Sequence, residues 1–228
     1  MNNLIIDNLS HSYNDVKDSN LIFRDINLQI NLSETFSLTG ESGSGKSTFI
    51  HLVTGMLKPS LGSITIDNKK ISLMKPKLKA SNLSIVFQYH SLLENLNVLE
   101  NISLPIKIFK GKLDKDDHIF LDKLLGSTNM MDKKFRYPHE LSGGEKQRVS
   151  IIRSIALKPK CIFMDEPTGN LDNDTSLLIH ELCIDIHKEW GIGIFLATHD
   201  MVFASKMDTN FNIKNKRITA NDLSLIHI

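Results

Sequence analysis

The stretch TFSLTGESGSGKSTFIHLVTGML, residues 35–57, joins a β-like run, a glycine-rich loop and an apolar helical repeat, and this order determines the fold. Its centre, Gly40–Ser47, fits the phosphate-loop pattern G-x-x-x-x-G-K-[ST]. Glycines allow successive backbone N–H groups to turn toward one point, and the N-terminus of the next helix adds partial positive charge. An ordinary glycine-rich turn is the alternative, but the flanking strand and helix favour an α/β nucleotide-binding protein.

Two residues of this loop have distinct predicted roles. Lys46 supplies a full positive charge to the phosphates, and Ser47 offers its hydroxyl to Mg²⁺. The whole set predicted to contact nucleotide is Gly40, Glu41, Ser42, Gly43, Ser44, Gly45, Lys46, Ser47 and Thr48. The helix that follows is expected to continue until Pro59 stops it, and its buried face is predicted to consist of Phe49, Leu52, Val53 and Met56.

The sequence on both sides extends the α/β pattern. NLIIDNLSHSY and IFRDINLQI before the loop, and GSITID and LSIVFQ after it, read as strands. CIFMDE, a helix over DNDTSLLIHELCIDIHKEW, and GIGIFLAT then form a strand, helix, strand order typical of a parallel sheet. TNFNIKNKRITANDL predicts a terminal hairpin that turns at Lys214–Lys216, and the apolar tail SLIHI, residues 224–228, has no interpretable pattern.

Helical periodicity replaces the strand pattern from about residue 88 to residue 157. The two clearest helical segments are VLENISLPIKIFK and DDHIFLDKLLGS. We therefore predict a single domain over residues 1–228, in which 1–87 and 158–228 form a catalytic core and about 88–157 form an inserted helical subdomain.

Two carboxylates follow the apolar strand CIFMDE. Asp165 is predicted to lie at the carboxyl end of the sheet, where doubly wound folds bind ligands, and to hold Mg²⁺. Glu166 then points toward the γ-phosphate as the base or orienter of an attacking water. His199 closes GIGIFLAT near the same edge and is predicted to donate to a γ-phosphate oxygen. With Lys46, the residues Glu166 and His199 form the predicted catalytic set.

Two further positions are weaker candidates for nucleotide contact. Gln88 ends the strand LSIVFQ, and its amide oxygen is predicted to coordinate Mg²⁺ or to position water, although a polar strand end is the simpler interpretation. Tyr13 is a candidate stacking surface for adenine, since an aromatic ring stacks on a purine without base-specific hydrogen bonds. A half-buried core tyrosine is the alternative. The other histidines, including His51, His118, His180 and His227, are interpreted as surface or core residues.

The stretch LSGGEKQRV, residues 141–149, begins a predicted helix with two adjacent glycines. Ser142 and Glu145 fit a capping box. Gly143 and Gly144 are unfavourable there by roughly 1 kcal/mol each relative to alanine. We interpret Ser142, Gly143 and Gly144 as a second phosphate-binding face, since a helix N-terminus without side chains admits a large oxyanion.

Composition limits the remaining function classes. The chain has 27 basic and 26 acidic residues, a net charge of +1, and no basic block, so no nucleic-acid partner is expected. Cys161 and Cys183 have no metal-ligand spacing and are predicted to be buried and free. No run is apolar and long enough to cross a membrane, and the N-terminus lacks the features of an export signal.

The set GESGSGKST, Gln88, LSGGEKQRV, CIFMDEPTGNLD and ATHD, in this order, resembles the ATP-binding-cassette (ABC) ATPases over essentially the whole chain. The resemblance implies a P-loop NTPase core with a mostly parallel sheet, an N-terminal antiparallel β-subdomain and the helical insert. It also implies ATP and Mg²⁺ as ligands. Two copies would form a homodimer in which Ser142, Gly143 and Gly144 contact the ATP of the partner. The loop that crosses between the protomers would consist of Gly169, Asn170, Leu171 and Asp172.

The same resemblance implies separate multi-span membrane subunits, with this chain peripheral on the cytoplasmic face of the inner membrane. DEPTGNLD and SLLENLNVLENISLPI look like the branch of the family that serves lipoprotein release, efflux and cell division, with lipoprotein release as the first expectation. A soluble ABC ATPase of DNA repair or translation is the alternative from another class, and a catalytically silent regulator is a third. Soluble ABC ATPases of DNA repair or translation usually carry tandem cassettes or a long coiled coil. Silent regulators usually lack a residue such as Glu166 or His199.

Overall fold

The computed structural model describes residues 2–13 and 20–221, which contain ten strands, seven α-helices and several short 3₁₀-helices. The strands are β1 (Asn3–His11), β2 (Phe23–Asn31), β3 (Thr35–Thr39), β4 (Leu61–Ile66), β5 (Lys69–Lys70), β6 (Leu83–Val86), β7 (Cys161–Asp165), β8 (Gly193–Ala197), β9 (Thr209–Lys214) and β10 (Arg217–Asn221). The helices are α1 (Lys46–Val53), α2 (Pro76–Ala80), α3 (Val98–Lys110), α4 (Lys115–Ser127), α5 (Gly143–Ile155), α6 (Asn173–Trp190) and α7 (Met201–Ala204).

The larger sheet has the strand order β10-β9-β3-β8-β7-β6. Its five strands from β9 to β6 are parallel, and β10 pairs antiparallel with β9 at one edge. Since the carboxyl ends of parallel strands meet at one edge, the phosphate loop after β3 and Asp165 at the end of β7 lie at the same edge. The predicted parallel sheet and terminal hairpin are confirmed.

A second, antiparallel sheet has the order β2-β1-β4-β5 and contains most of the N-terminal strands. Successive side chains of β7 point to opposite faces of the larger sheet, so Phe163 packs with the core beneath the antiparallel sheet, whereas Ile162 and Met164 pack with the helices. Both faces are covered, which explains the uniformly apolar sequence of β7. The predicted α/β fold with an N-terminal antiparallel subdomain is confirmed.

Helix α1 is shorter than the sequence pattern predicts. It ends at Val53, and the expected continuation to Pro59 is wrong. Gly55 adopts φ +70°, a left-handed conformation that ends helices, and Met56 is 56% exposed rather than buried. Phe49, Leu52 and Val53 are fully buried, as expected.

Helices α3, α4 and α5 occupy the region between β6 and β7. Each begins with a capping box, in which the N-cap side chain and the third helical residue satisfy each other's backbone N–H groups. The first two N–H groups of α3, from Val98 and Leu99, donate to the carbonyls of Arg136 and Lys134 at 2.9 Å each. The segment before α5 therefore fixes the start of α3, and α3 in turn packs against α5.

Cys161 and Cys183 are buried and free, as predicted. The predicted surface and core histidines divide clearly, because His118 is exposed whereas His180 is buried. His227 and the apolar tail lie outside the described residues. Within residues 2–13 and 20–221, no helix has the length and apolar character needed to cross a membrane.

Candidate active site

The phosphate loop is shaped by three glycines with positive φ, Gly40, Gly43 and Gly45. A Cβ on Gly45 would lie 2.8 Å from Ile22 Cγ2 and 2.9 Å from Phe23 Cζ, so only glycine fits between the loop and the antiparallel sheet. Gly45 is also the N-cap of α1 and makes no side-chain cap hydrogen bond. The first N–H groups of the helix therefore remain available to an anion.

Lys46 is buried, with 8% of its surface exposed, and its ammonium group closes the loop. Its Nζ donates to the carbonyls of Gly40 at 3.0 Å and Glu41 at 3.3 Å. The same Nζ lies 3.4 Å from Glu166 Oε1. The loop and the strand β7 are thus connected through one positive charge.

Glu166 connects Lys46 to His199. Its Oε2 lies 2.7 Å from His199 Nδ1 and accepts the His199 backbone N–H at 3.3 Å. Glu166 has φ +48°, an unfavourable conformation for a residue other than glycine, and its own N–H donates to Ala197 O at 2.9 Å. This turn after β7 aims the carboxylate at the phosphate loop, so the structure brings the three predicted catalytic residues together.

Asp165 lies beneath this group and has an unpaired oxygen. The residue is 7% exposed, and no described residue hydrogen-bonds to its Oδ1. Burial raises the pKa of Asp165, while the nearby Ser47 hydroxyl lowers it and the charge of Glu166 raises it. A buried carboxylate oxygen beside a serine hydroxyl offers the hard oxygen ligands that Mg²⁺ requires, so these residues fit the predicted metal.

A cleft of about 430 Å³ lies over these groups. Its lining includes Gln88 and Gly169 in addition to Lys46, Glu166 and His199. A cleft of about 590 Å³ on the other side of the loop faces the β9–β10 turn and is larger, but its described lining contains none of the three predicted catalytic residues. We therefore assign the chemistry to the smaller cleft. The remaining loop residues divide between the two clefts: Ser42, Gly43, Gly45, Ser47 and Thr48 line the smaller one, and Gly40, Glu41, Gly43 and Ser44 line the larger one.

Tyr13 is connected directly to the start of α1. Its hydroxyl lies 3.0 Å from Thr48 Oγ1, and its ring meets the edge of His11 with centroids 5.2 Å apart. The side chain is 63% exposed, which rules out the alternative of a core tyrosine. The ring is thus exposed and hydrogen-bonded to the helix that follows the phosphate loop, and its stacking on a base stays a prediction.

Ser142, Gly143 and Gly144 do not line either of the two clefts beside the phosphate loop. Ser142 caps α5 as predicted: its Oγ accepts from Glu145 N at 3.3 Å, and Glu145 Oε2 accepts from Ser142 N at 2.8 Å. Both Ser142 and Gly143 are exposed. Within one chain, the N-terminus of α5 is therefore exposed to solvent and lies away from the phosphate loop of the same chain.

The structure gives Gly144 a packing reason to be glycine that the sequence did not show, and its contact with a phosphate stays a prediction. Gly144 is buried, and a Cβ there would lie 2.3 Å from Thr175 Cγ2 on α6. Close packing of α5 on α6 therefore requires glycine at this position. Gly143 has no such constraint, since its nearest neighbour would be Leu171 Cδ2 at 3.5 Å.

The loop from Gly169 to Asp172 leads into α6, and its residues Gly169, Asn170 and Asp172 are exposed. Asp172 caps the helix, because its Oδ1 accepts from Thr175 N at 2.9 Å and its Oδ2 accepts from the Thr175 hydroxyl at 2.8 Å. These two hydrogen bonds lower the pKa of Asp172. The loop is thus fixed by the cap at Asp172 and by the packing of Leu171 on the core, whereas its other residues are exposed.

Sequence reasoning missed two residues of α5, Gln147 and Arg153, that hold the segment beginning at Gln88, residues 88–97, which we call the Gln88 loop. Gln147 is fully buried on α5, and its Oε1 lies 2.6 Å from His90 Nδ1. Arg153 donates from Nη1 to Ser91 O at 2.7 Å and from Nη2 to His90 O at 3.0 Å. Both contacts join residues about sixty positions apart, so no local pattern could have indicated them. They connect the cleft to α5, the helix that Ser142 caps.

Comparison with known proteins agrees with this geometry. The family model described as "ABC transporter" matches residues 23–169. The lipoprotein-releasing system ATP-binding protein LolD of Buchnera aphidicola subsp. Acyrthosiphon pisum (strain APS) is 38% identical over 96% of this chain and 98% of its own length. LolD of Wigglesworthia glossinidia brevipalpis is 35% identical over 98% of this chain and 100% of its own length.

Solved structures also resemble the chain. The ATP-binding cassette MJ0796, in a dimeric post-hydrolysis state bound to ADP and Pi, has a TM-score of 0.83 and 28% identity, covering 96% of this chain and 98% of its own. The cbiO1 protein of Clostridium perfringens, part of the ABC transporter complex cbiONQ, has a TM-score of 0.83 and 33% identity, covering 95% of this chain and 86% of its own. From its matched motifs, its site and these relatives, the chain belongs to the ABC transporter family.

Proposed function

We propose that this chain, an ATPase of the ABC transporter family, powers the release of lipoproteins from the inner membrane toward the outer membrane. The observation that carries the hydrolytic part is the Glu166 carboxylate, which lies between Lys46 Nζ and His199 Nδ1 at the cleft. The lipoprotein part is supported by similarity to LolD proteins over nearly the full length of both chains.

The residues of the cleft account for hydrolysis as follows. The backbone N–H groups of the phosphate loop and Lys46 bind the phosphates of ATP, and the exposed ring of Tyr13 stacks on adenine. A γ-phosphate competes with Glu166 for Lys46, which leaves the carboxylate free to accept a proton from the attacking water. His199 keeps Glu166 oriented and donates to the γ-phosphate.

Mg²⁺, when bound, supplies positive charge that stabilises the transferring phosphoryl group. Ser47, Gln88 and Asp165 would hold it, since each offers an oxygen and Asp165 Oδ1 has no hydrogen-bond partner among the described residues. Retention of this carboxylate, Glu166 and His199 argues against a silent regulator.

A complete site is proposed to need two copies of the chain. Ser142 and Gly143 are exposed at the N-terminus of α5, away from their own cleft, so they are available to the phosphate held by a partner. Gly144 is proposed to contribute its backbone N–H group. The absence of a side chain at this position is explained separately, by the close approach of Thr175. The exposed loop Gly169–Asp172 would cross between the protomers. The dimeric MJ0796 structure supports this arrangement by similarity.

The chain is proposed to act on the cytoplasmic face of the inner membrane as a peripheral subunit. Its partners would be separate multi-span membrane subunits of the LolC/LolE kind, and no nucleic-acid partner is proposed. An FtsE-like division ATPase and a MacB-like efflux ATPase are the alternatives within the family, and a soluble ABC ATPase is the alternative outside transport. Within the described residues the chain carries neither a membrane span nor a second cassette.

The catalytic role of Glu166 is tested by Glu166→Gln. The variant should bind ATP, lose turnover and accumulate as an ATP-bound dimer in size-exclusion chromatography. If it remains monomeric with ATP and hydrolyses at the parental rate, Glu166 does not activate water.

The action of Ser142 across the dimer is tested by mixing a Ser142→Arg chain with a Lys46→Ala chain. Mixed dimers then contain one intact composite site and one with both changes, so activity should return on mixing. Dimers that form without any activity would contradict either the composite site or the independence of its two copies.

The transport assignment is tested by purifying the chain from membranes in mild detergent and identifying its partners by mass. Two related multi-span subunits with large periplasmic domains support lipoprotein release. A single division-associated subunit supports the FtsE-like alternative, and ribosomes or DNA-repair proteins support the soluble class.

A further inference from the structure

A concentration of unpaired positive charge surrounds α2. Five lysines, Lys69, Lys70, Lys75, Lys77 and Lys79, fall within eleven residues, and the sequence has no acidic residue from position 68 to position 93. Asp67, just before them, forms an ion pair with Lys160, with Asp67 Oδ2 2.7 Å from Lys160 Nζ. Among the described residues, no carboxylate lies within ion-pair distance of any of the five lysines. We call the surface formed by residues 69–79 the α2 surface.

Exposed apolar side chains lie among these lysines. Leu73 is 81% exposed and Leu78 is 41% exposed, and α2 itself has no buried residue. Ile71 and Met74 are buried beneath the segment, so it is held on the core by these two side chains while its outer side remains uncovered. An exposed leucine flanked by lysines is typical of a segment that enters the boundary between headgroups and acyl chains.

The charged and apolar character continues onto the end of α3. Lys77 Nζ donates to Phe109 O at 3.3 Å, which places α2 beside the last turn of α3. That turn carries exposed Lys107 and Ile108, the latter 66% exposed. Residues 69–112 contain eight lysines and two glutamates, a net charge of +6, whereas the whole chain has +1. The remainder of the molecule is therefore acidic, and positive charge is concentrated here.

We propose that the α2 surface binds the anionic headgroups of the membrane on which the chain works. This inference rests on the proposed function, which places the chain beside a membrane. The choice of anionic headgroups rests on charge complementarity with the lysines. All the cations are lysines, which are flexible point charges suited to diffuse phosphates, whereas arginine suits paired contacts with defined partners. The exposed leucines add apolar contact that a purely electrostatic ligand would not use.

The test is flotation of the purified full chain with vesicles of phosphatidylglycerol and phosphatidylethanolamine, and with neutral phosphatidylcholine vesicles. Binding should require phosphatidylglycerol and weaken as salt is raised. The triple variant Lys69→Gln, Lys70→Gln, Lys75→Gln removes three exposed lysine side chains, and it should lower binding by about a hundredfold. Leu73→Ser should weaken the binding that remains at high salt.

A matched control removes the same charge elsewhere, through Lys188→Gln, Lys206→Gln and Lys214→Gln, all exposed positions. It should float like the parental chain. Equal loss in both triple variants, or no binding of the parental chain to anionic vesicles, overturns the proposal. So does a triple variant that floats normally but loses its membrane subunits on purification, because the surface would then meet an acidic protein segment. Identification of those subunits tests the proposed function separately.

Discussion

Substitution of Gly144 by alanine tests why the α5 N-terminus carries two glycines. A Cβ there would lie 2.3 Å from Thr175 Cγ2, whereas ordinary contact begins at 3.4 Å. Alanine favours the helix by about 1 kcal/mol over glycine, whereas overpacking of a buried site costs about 1–3 kcal/mol, and an approach as short as 2.3 Å belongs at the upper end, about 2–3 kcal/mol. We expect Gly144→Ala to lower the free energy of unfolding by about 1–2 kcal/mol, or the Tm by about 2–8 °C.

The second variant, Thr175→Ser, identifies the atom responsible. It removes Cγ2 and retains the hydroxyl that donates to Asp172 Oδ2 at 2.8 Å. The remaining Thr175 atoms near a Cβ on Gly144 are Cβ at 3.7 Å and Oγ1 at 3.9 Å, both ordinary contacts. The double variant should therefore recover the stability lost in Gly144→Ala, with a coupling free energy of about 1–3 kcal/mol.

Urea unfolding of the nucleotide-free chain measures these stabilities, and Gly143→Ala is the matched control, because its Cβ would meet only Leu171 Cδ2 at 3.5 Å. The packing explanation fails if Gly144→Ala unfolds at the parental urea concentration, or if Thr175→Ser does not restore it. ATPase activity of the double variant then separates the two roles of the glycine. Recovered stability without recovered activity would assign Gly144 a direct contact with phosphate.

Three further predictions concern the interior. Arg153→Lys removes the paired hydrogen bonds to the Gln88 loop and should lower the free energy of unfolding by about 1–3 kcal/mol. The control Arg148→Lys, on the same helix, should leave the free energy of unfolding unchanged. Equal effects of the two substitutions would contradict the role of the Arg153 hydrogen bonds. Burial lowers the pKa of His180 below its ordinary value of 6.5. The contribution of the neutral imidazole to the free energy of unfolding is therefore complete above pH 6.5 and is lost as the pH falls through the pKa of the folded state. His180→Phe should flatten the pH dependence of urea unfolding between about pH 7 and 5, and an unchanged slope would exclude His180 as its source. Burial raises the pKa of Cys183 to about 12 and also raises the pKa of Cys161, so both thiols should react with a thiol reagent only after unfolding. Reaction in the native chain would contradict their burial.

The fold was predictable because its signals are local. A glycine loop between a strand and a helix, apolar strands separated by helices, and a capping box at Ser142 each depend on neighbours a few positions apart. The end of α1 was not predicted, since Gly55 stops the helix before the periodic residue Met56. A single backbone conformation outweighed the hydrophobic pattern there.

The candidate site divides in the same way. Residue types and strand ends placed Lys46, Asp165, Glu166 and His199 at one edge, and the structure brings them together. The Arg153 guanidinium donates to two carbonyls of the Gln88 loop that lie 62 and 63 positions away along the chain. Such contacts depend on how the helices pack.

The sequence by itself therefore determined the kind of fold, the phosphate-binding loop and the residues at the carboxyl edge of the sheet, because these follow from local geometry and residue chemistry. Only the tertiary structure decided why Gly144 has no side chain, how the Gln88 loop is fixed to α5, and which lysines lack an acidic partner. Each of these depends on atoms that are distant along the chain and adjacent in space.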